Sequence, residues 1–145
     1  MNVSEILDKL DFVIDDSNVG VLTTVDADGN PKARWMTPSL LRNREGFLYA
    51  VTSPKFKKAT QIEANPKVHW LIQTKALDKV VSIKGTVNLI DNPSYKAEVL
   101  TEIGSRLGMF WKLNQNADEM VVLETVIEEA EYFEPLGGVR AKVDF

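Results

Sequence analysis

The stretch of sequence that decides the fold is Val19-Gly-Val-Leu-Thr-Thr-Val-Asp-Ala-Asp-Gly-Asn-Pro31. Residues 19–25 are rich in apolar and β-branched side chains, which favour a β-strand. The Asp-Gly pair that follows is a strong hairpin signal, since a tight turn between antiparallel strands needs residues that tolerate a positive φ. We therefore predict a strand over 19–25, a turn over 26–31, and a return strand from Lys32 to about Leu41.

The same strand and turn signals recur along the rest of the chain. Beyond the hairpin, the sequence predicts strands over 47–52, 68–74, 80–90 and 120–133. It predicts helices over 4–15 with Ser4 as the cap, over 54–64 following Ser53, and over 94–107. Six short strands with few helices indicate one mainly β domain over residues 1–145, folded as a six-stranded antiparallel barrel with flanking helices.

The composition argues against several kinds of site. The chain has 145 residues, no cysteine and a single histidine, His69. Without cysteine there is no thiol nucleophile, cysteine-ligated metal or disulfide. One histidine argues against a histidine-rich metal site and against a Ser-His-Asp triad. We therefore expect no metal, and we name no catalytic side chain.

Charge and hydropathy bear on partners and location. The chain has 17 basic and 21 acidic residues, and its net charge of -4 argues against a nucleic-acid partner. No apolar run approaches the roughly 20 residues of a membrane span. The acidic first residues do not resemble a signal peptide, so we expect a cytoplasmic protein without a membrane partner.

One predicted helix start is unusually basic. Residues 1–16 and 118–145 are acidic, whereas residues 17–117 carry a net positive charge. Within that middle, Lys55, Lys57 and Lys58 crowd the start of a helix, where the helix dipole disfavours cations. A bound anion would explain the arrangement, because helix N-termini bind phosphate groups. The alternative is an ordinary surface helix whose lysines face solvent.

Other charged residues have two interpretations each. Arg34 could pair with the same anion, because a guanidinium offers two parallel donors to a phosphate. Its alternative role is that of a strand-face arginine whose stem covers apolar surface. The acid-rich segment from Glu124 to Glu134 is interpreted as a solvated strand edge.

Four segments in sequence carry a resemblance to a known family. They are the stretch 19–31 quoted above, then Arg34-Trp-Met-Thr-Pro38, Leu48-Tyr-Ala-Val-Thr-Ser53 and Lys58-Ala-Thr-Gln-Ile-Glu-Ala-Asn-Pro-Lys-Val68. The most specific part is the lysine followed by Gln-Ile-x-x-Asn-Pro after a Thr-Ser strand end. In combination, they resemble the pyridoxamine 5'-phosphate oxidase-like FMN-binding split barrels, and are most similar to the general stress protein branch.

The resemblance implies a homodimer with FMN at the subunit interface. It implies that Arg34 and Lys58, helped by Lys57, hold the phosphate. The other cofactor-binding positions that it implies are Trp35, Met36 and Thr37 beside the isoalloxazine, Val51, Thr52 and Ser53 at the strand end, and Trp111 covering the flavin from the other subunit.

Departures from the oxidase pattern bear on the substrate. Ser39 stands where the oxidase has a lysine for its substrate phosphate, and the tail Val139-Arg-Ala-Lys-Val-Asp-Phe145 has no histidine. The resemblance therefore implies a flavin-dependent oxidoreductase of an unknown small-molecule substrate, rather than a true pyridoxamine phosphate oxidase. The alternatives are a non-catalytic flavin-binding or stress-response protein, a deazaflavin- or haem-binding member of the same fold, and an interaction dimer without a ligand.

Overall fold

The computed structural model describes residues 1–41, 43–52, 65–104 and 121–145. Within these ranges the helices are α1 (Val3–Ser17) and α2 (Pro93–Gly104). The strands are β1 (Gly20–Val25), β2 (Pro31–Met36), β3 (Pro38–Ser39), β4 (Phe47–Thr52), β5 (Lys67–Gln73), β6 (Val80–Leu89), β7 (Val121–Glu134) and β8 (Val139–Asp144). Neither of these two helices is long and apolar enough to cross a membrane.

The predicted hairpin is present as β1 and β2, and the Asp26 side chain reinforces the backbone hydrogen bonds of its turn. The Asp26 Oδ1 atom accepts hydrogen bonds from the backbone N–H groups of Asp28 (3.0 Å) and Asn30 (2.9 Å). Gly29 has a φ of 84°, in the region that favours glycine. The turn sets the register of the two strands, which places Leu22 opposite Arg34.

The described strands form one antiparallel sheet in the order β2-β1-β5-β6-β7-β4-β3, with β8 paired to β7. The sheet curls, so that β2 also comes into contact with β4. The predicted mainly β, antiparallel architecture with flanking helices is thus confirmed.

The predicted number of six strands is wrong, because the described ranges contain eight. The return strand of the hairpin divides after Met36, because Met36 pairs with Gly20, the first residue of β1. Pro38 also lacks the N–H that a longer ladder would need. From Pro38 the chain pairs with β4 instead. The tail after Leu136, in which no strand was predicted, pairs with β7 as β8.

The inner face of the curled sheet holds the larger core, and α1 fills its open side. The helix contributes four buried side chains, those of Ile6, Leu10, Val13 and Ile14. Its N-cap is Asn2 and not the predicted Ser4. Asn2 Oδ1 accepts from the Glu5 N–H at 2.8 Å, and the Glu5 carboxylate accepts from the Asn2 N–H at 3.4 Å. This reciprocal pair is a capping box, which satisfies two backbone donors at once.

A second apolar cluster lies on the outer face, between α2 and the strands β4 and β7. Its buried members are Leu41, Tyr49, Val51, Ile90, Val99, Leu100, Ile103 and Val122. Side chains alternate along β4, so Leu48 and Ala50 enter the inner core while their neighbours enter this outer cluster. The strand is therefore covered on both faces.

The prediction that the acidic segment of β7 is a strand edge is wrong. β7 lies between β6 and β4 in the sheet. Glu129 pairs with Lys142 at 3.2 Å and with Lys84 at 3.8 Å. Glu131 pairs with Arg140 at 3.1 Å. These bases come from β6 and β8, so the acids acquire their complement only through strand register.

Candidate functional site

Arg34 lies on β2 and shares the inner face of the sheet with the core residue Leu22, its directly opposite partner. Its Nη1 atom donates a 2.7 Å hydrogen bond to the Thr24 hydroxyl. Thr24 is fully buried and Arg34 is half-buried. Burial lowers the pKa of Arg34, but a guanidinium stays charged at neutral pH. A partly desolvated cation of this kind attracts an anion more strongly than an exposed one does.

Two further predicted residues share the inner face with Arg34. Met36 is two residues further along β2 and belongs to the inner core. Thr52 ends β4, and alternation gives it the face of Ala50, a residue of the same core. β2 and β4 are not hydrogen-bonded neighbours, but they come into contact through the curl of the sheet. The curl thus brings β2, which carries Arg34, into contact with β4, which ends at Thr52.

Trp35 has the opposite orientation to Arg34, because adjacent residues of a strand point to opposite faces. It lies on the outer face with 81% of its surface exposed. It is paired with Val21, which is itself paired with Leu71. These side chains line a shallow groove of about 340 Å³ together with Val19 and Leu77. The outer face at this end of the sheet is therefore apolar and open.

The other described cofactor positions have distinct places. Thr37 is half-buried and connects β2 to β3. The Val51 side chain is buried in the outer cluster beneath α2. Its backbone groups are therefore the only part of Val51 that is available to the inner face. Ser53, Lys57, Lys58 and Trp111 lie outside the described residues, as do Lys55 and the predicted helix over 54–64.

A hydroxyl and carboxylate cluster lies under α2. The Tyr49 hydroxyl is 2.6 Å from that of Tyr95 and donates to Glu124 Oε2 at 3.0 Å, and the Tyr95 hydroxyl donates to the same carboxylate oxygen. Burial raises the pKa values of both tyrosines, and the hydrogen bonds to Glu124 raise them further. The Arg44 guanidinium lies over the Tyr95 ring at 4.1 Å and pairs with Glu98 at 3.2 Å. The cluster joins α2 to β4 and β7.

His69 does not belong to the Arg34 site. It is paired with Thr23 and Lys84 on the outer face, opposite to the face of Arg34. Burial lowers the pKa of His69, and the nearby Lys84 lowers it further. Among the residues that the structure describes, no group of three or more histidine or acidic side chains is arranged to hold a metal ion.

The donors at the Arg34 site fit an anionic group. A half-buried guanidinium offers charged N–H donors, and Thr52 carries a hydroxyl at the end of β4, a strand that contacts β2. Such a set suits the phosphate of FMN. Sequence reasoning missed Thr24. The hairpin turn could have indicated it, because the turn sets the register of β1 and β2. That register pairs Leu22 with Arg34, and Thr24 lies two residues after Leu22 on the same face.

Similarity to known proteins adds to this geometry. A family model described as pyridoxamine 5'-phosphate oxidase matches residues 6–134. The pyridoxine/pyridoxamine 5'-phosphate oxidase of Cupriavidus necator is 33% identical over 92 residues, which are 63% of this chain and 42% of that protein. The chain thus matches less than half the length of this curated relative.

A shorter relative matches over nearly its whole length. General stress protein 26 of Bacillus subtilis is 29% identical over 133 residues, 89% of each chain. The solved structure of a FAD-binding protein from Mesorhizobium loti superposes with a TM-score of 0.69 at 20% identity, covering 87% of this chain and 91% of that one. This likeness shows that the two chains share a fold.

Proposed function

The chain belongs to the pyridoxamine 5'-phosphate oxidase family, and from this premise we propose that it binds FMN and acts as a cytoplasmic, flavin-dependent oxidoreductase on a small molecule. The resemblance inferred from the four sequence segments is confirmed by the family match. The observation that carries the proposal is Arg34, a half-buried guanidinium held on the inner face by a buried hydroxyl.

The flavin supplies the redox chemistry when it is bound, and the protein supplies binding and orientation. In this proposal Arg34 and Thr52 hold the phosphate, together with Ser53, Lys57 and Lys58. Met36 and Thr37 lie along the strand that leads away from Arg34. Val51 contributes backbone groups. Trp35 and Trp111 complete the site beside the ring in the assembled protein.

We propose that the substrate is not pyridoxamine phosphate. Ser39 stands at the position where the family's oxidases have a substrate-binding lysine. It is buried and paired with Tyr49 under the outer cluster. Within the described ranges, its buried hydroxyl oxygen has no hydrogen-bond partner. The burial of Ser39 next to Tyr49 favours a packing role for this residue over contact with a charged substrate.

The proposed assembly is a homodimer with the cofactor at the subunit interface. Trp35, Val21 and Leu71 form an apolar, open row on the outer face. β2 is also the terminal strand of the sheet, hydrogen-bonded to β1. A terminal strand and an adjoining apolar surface are features that a second copy can cover.

A second candidate function is flavin binding without turnover, as a stress-response protein. The observation that favours it is the match to General stress protein 26, which extends over 89% of both chains. The two functions share the FMN site. They differ in whether NADH- or NADPH-reduced flavin on the protein is reoxidised by an acceptor at a rate above that of free FMN.

The decisive test is a visible spectrum of the purified protein, followed by identification of any ligand released on denaturation. We expect a flavin spectrum and released FMN. A colourless protein whose melting temperature FMN does not raise would contradict both candidate functions.

The site assignment is tested by Arg34→Ala. Loss of a charged hydrogen-bond donor should weaken FMN binding by about 10- to 100-fold, measured by fluorescence titration. The matched control is Arg140→Ala on β8, an arginine paired with Glu131 on the outer face. Equal FMN affinity in the two variants would show that Arg34 does not hold the phosphate.

A further inference from the structure

We infer that Thr24 is a positioning residue, whose buried hydroxyl holds the Arg34 guanidinium in the direction needed to bind the flavin phosphate. This inference rests on the proposed function. It concerns a residue of β1 whose hydroxyl contacts the Arg34 guanidinium.

The position of Thr24 in the core calls for an explanation. β1 alternates toward the inner core, where Leu22 is fully buried and Thr24 is fully buried two residues later. A hydroxyl taken into an apolar core costs free energy unless it is hydrogen-bonded. The Thr24 hydroxyl accepts a bond from Arg34 Nη1 at 2.7 Å, a short and charge-assisted contact.

Fixing one nitrogen of a guanidinium fixes the direction of all its donors. The group is planar and its five N–H bonds point in set directions. A hydrogen bond from Nη1 to a buried hydroxyl therefore restricts the orientation of the whole plane. Arg34 lies on the terminal strand of the sheet, so Thr24 anchors it to the better-packed neighbouring strand.

Such an anchor should act on affinity for the anion. An arginine side chain loses about 2 kcal/mol of rotamer entropy when it is immobilised. Where a second residue has already restricted the side chain in the free protein, less of that entropy is lost on binding. Removing the anchor should therefore weaken binding of a phosphorylated flavin and leave riboflavin, which lacks the phosphate, unaffected.

The chain contains a matched control for this effect. Thr125 on β7 is also a buried threonine of the inner face, and its hydroxyl accepts a 3.0 Å hydrogen bond from Trp70 Nε1. Thr24 and Thr125 thus have the same side chain, burial and acceptor role. They differ in the donor, which is a cation in one case and an indole in the other.

The experiment compares dissociation constants for FMN and riboflavin in the wild-type protein, Thr24→Val, Thr24→Ser and Thr125→Val, by fluorescence titration at two salt concentrations. We expect the wild-type protein to prefer FMN. Thr24→Val should reduce that preference about fivefold, the effect of one hydrogen bond. Thr24→Ser retains the hydroxyl and should restore the preference. Thr125→Val should leave it unchanged, whatever its effect on stability.

The outcomes separate the inference from the proposed function. If the wild-type protein prefers FMN and Thr24→Val retains the full preference, the positioning role is wrong while FMN binding stands. A reduced preference that Thr24→Ser does not restore, or that Thr125→Val shares, also overturns it, because the effect then comes from core packing. If the wild-type protein binds neither flavin, the proposed function fails and takes this inference with it.

Discussion

The outer face of the sheet has two regions that differ in what covers them. At the β4 and β7 end, which we call the covered region, Tyr49, Val51 and Val122 are buried beneath α2. At the β2, β1 and β5 end, which we call the open region, Trp35 and Leu71 remain exposed. Both regions are apolar, but only the first has its partner within the described part of the chain.

The difference follows from where the two helices lie. α1 packs on the inner face and α2 on the covered region, so neither is available to the open region. An exposed tryptophan on a terminal strand costs solubility without adding to the stability of the monomer. In the proposed homodimer a second copy covers the open region, while the covered region stabilises the single chain.

The largest expected effect is in the covered region. Ile103 of α2 is fully buried in the outer cluster. Ile103→Ala should lower the free energy of unfolding by about 2–5 kcal/mol, since it removes buried methyl groups and leaves a cavity. Urea denaturation measures this change, and Leu136→Ala, at a side chain 91% exposed, is the control. If Ile103→Ala lost no more unfolding free energy than the control, the packing of α2 on this face would not stabilise the protein.

The next effect is in the open region and concerns assembly. Trp35→Ser should raise the dissociation constant of the proposed homodimer by about 30-fold, because exposed tryptophans that become buried dominate interface energies. Analytical ultracentrifugation over a range of concentrations measures the constant. Leu136→Ser is the matched control, since it removes another exposed apolar side chain away from this region. A wild-type protein that is monomeric at micromolar concentration would refute the assembly.

A smaller effect concerns the hydroxyl that fastens α2. Tyr95→Phe retains the ring under Arg44 but removes the hydroxyl that donates to Glu124 and contacts the Tyr49 hydroxyl. We expect a loss of about 1 kcal/mol, together with faster hydrogen exchange in α2. Exchange in α1, which lies on the other face, should not change. Equal acceleration in both helices would point to global destabilisation instead.

The smallest expected effect is a pH dependence of the free energy of unfolding, caused by His69, which lies two residues from Leu71 on β5. The pKa of His69 is lowered in the folded protein by burial and by Lys84, so the unfolded chain binds this proton more readily. Stability from His69 is thus complete above the unfolded pKa of about 6.5 and is lost as the pH falls through the lower, folded pKa.

His69→Gln removes that contribution. We expect the variant to lose less unfolding free energy than the wild-type protein between pH 7.5 and pH 5.5, measured by urea denaturation. Carboxylates titrate in both proteins and cancel in the difference. Parallel pH profiles would show that His69 is equally protonated in the folded and unfolded states.

Local signals predicted much of the fold because they depend on near neighbours in sequence. The Asp26 turn, the alternation along β5 and the periodicity of α1 all act within a few residues. The cap at Asn2 was missed because Asn2 and Ser4 are both good caps, and only the Glu5 contact distinguishes them. The division of the return strand at Thr37 was missed because Pro38 changes pairing partners between strands distant in sequence.

The candidate site divides in the same way. Arg34 was predicted from its residue type and its place after the hairpin turn. The sequence did not predict three sets of contacts: that of Arg34 with Thr24, those of Glu129 with its bases, and those of Glu124 with its two tyrosines. Each of these contacts joins side chains across strands, and register decides which of several chemically suitable partners is used.

The sequence by itself determined the strands, the hairpin, the absence of cysteine chemistry and the presence of an arginine suited to an anion. These properties depend on composition and on periodicities of two and 3.6 residues. The tertiary structure alone decided that Arg34 faces inward against Thr24 while Trp35 faces outward, and that α2 covers one outer region and not the other. Curling of the sheet and helix placement are determined by burial of the whole apolar surface, to which every strand contributes.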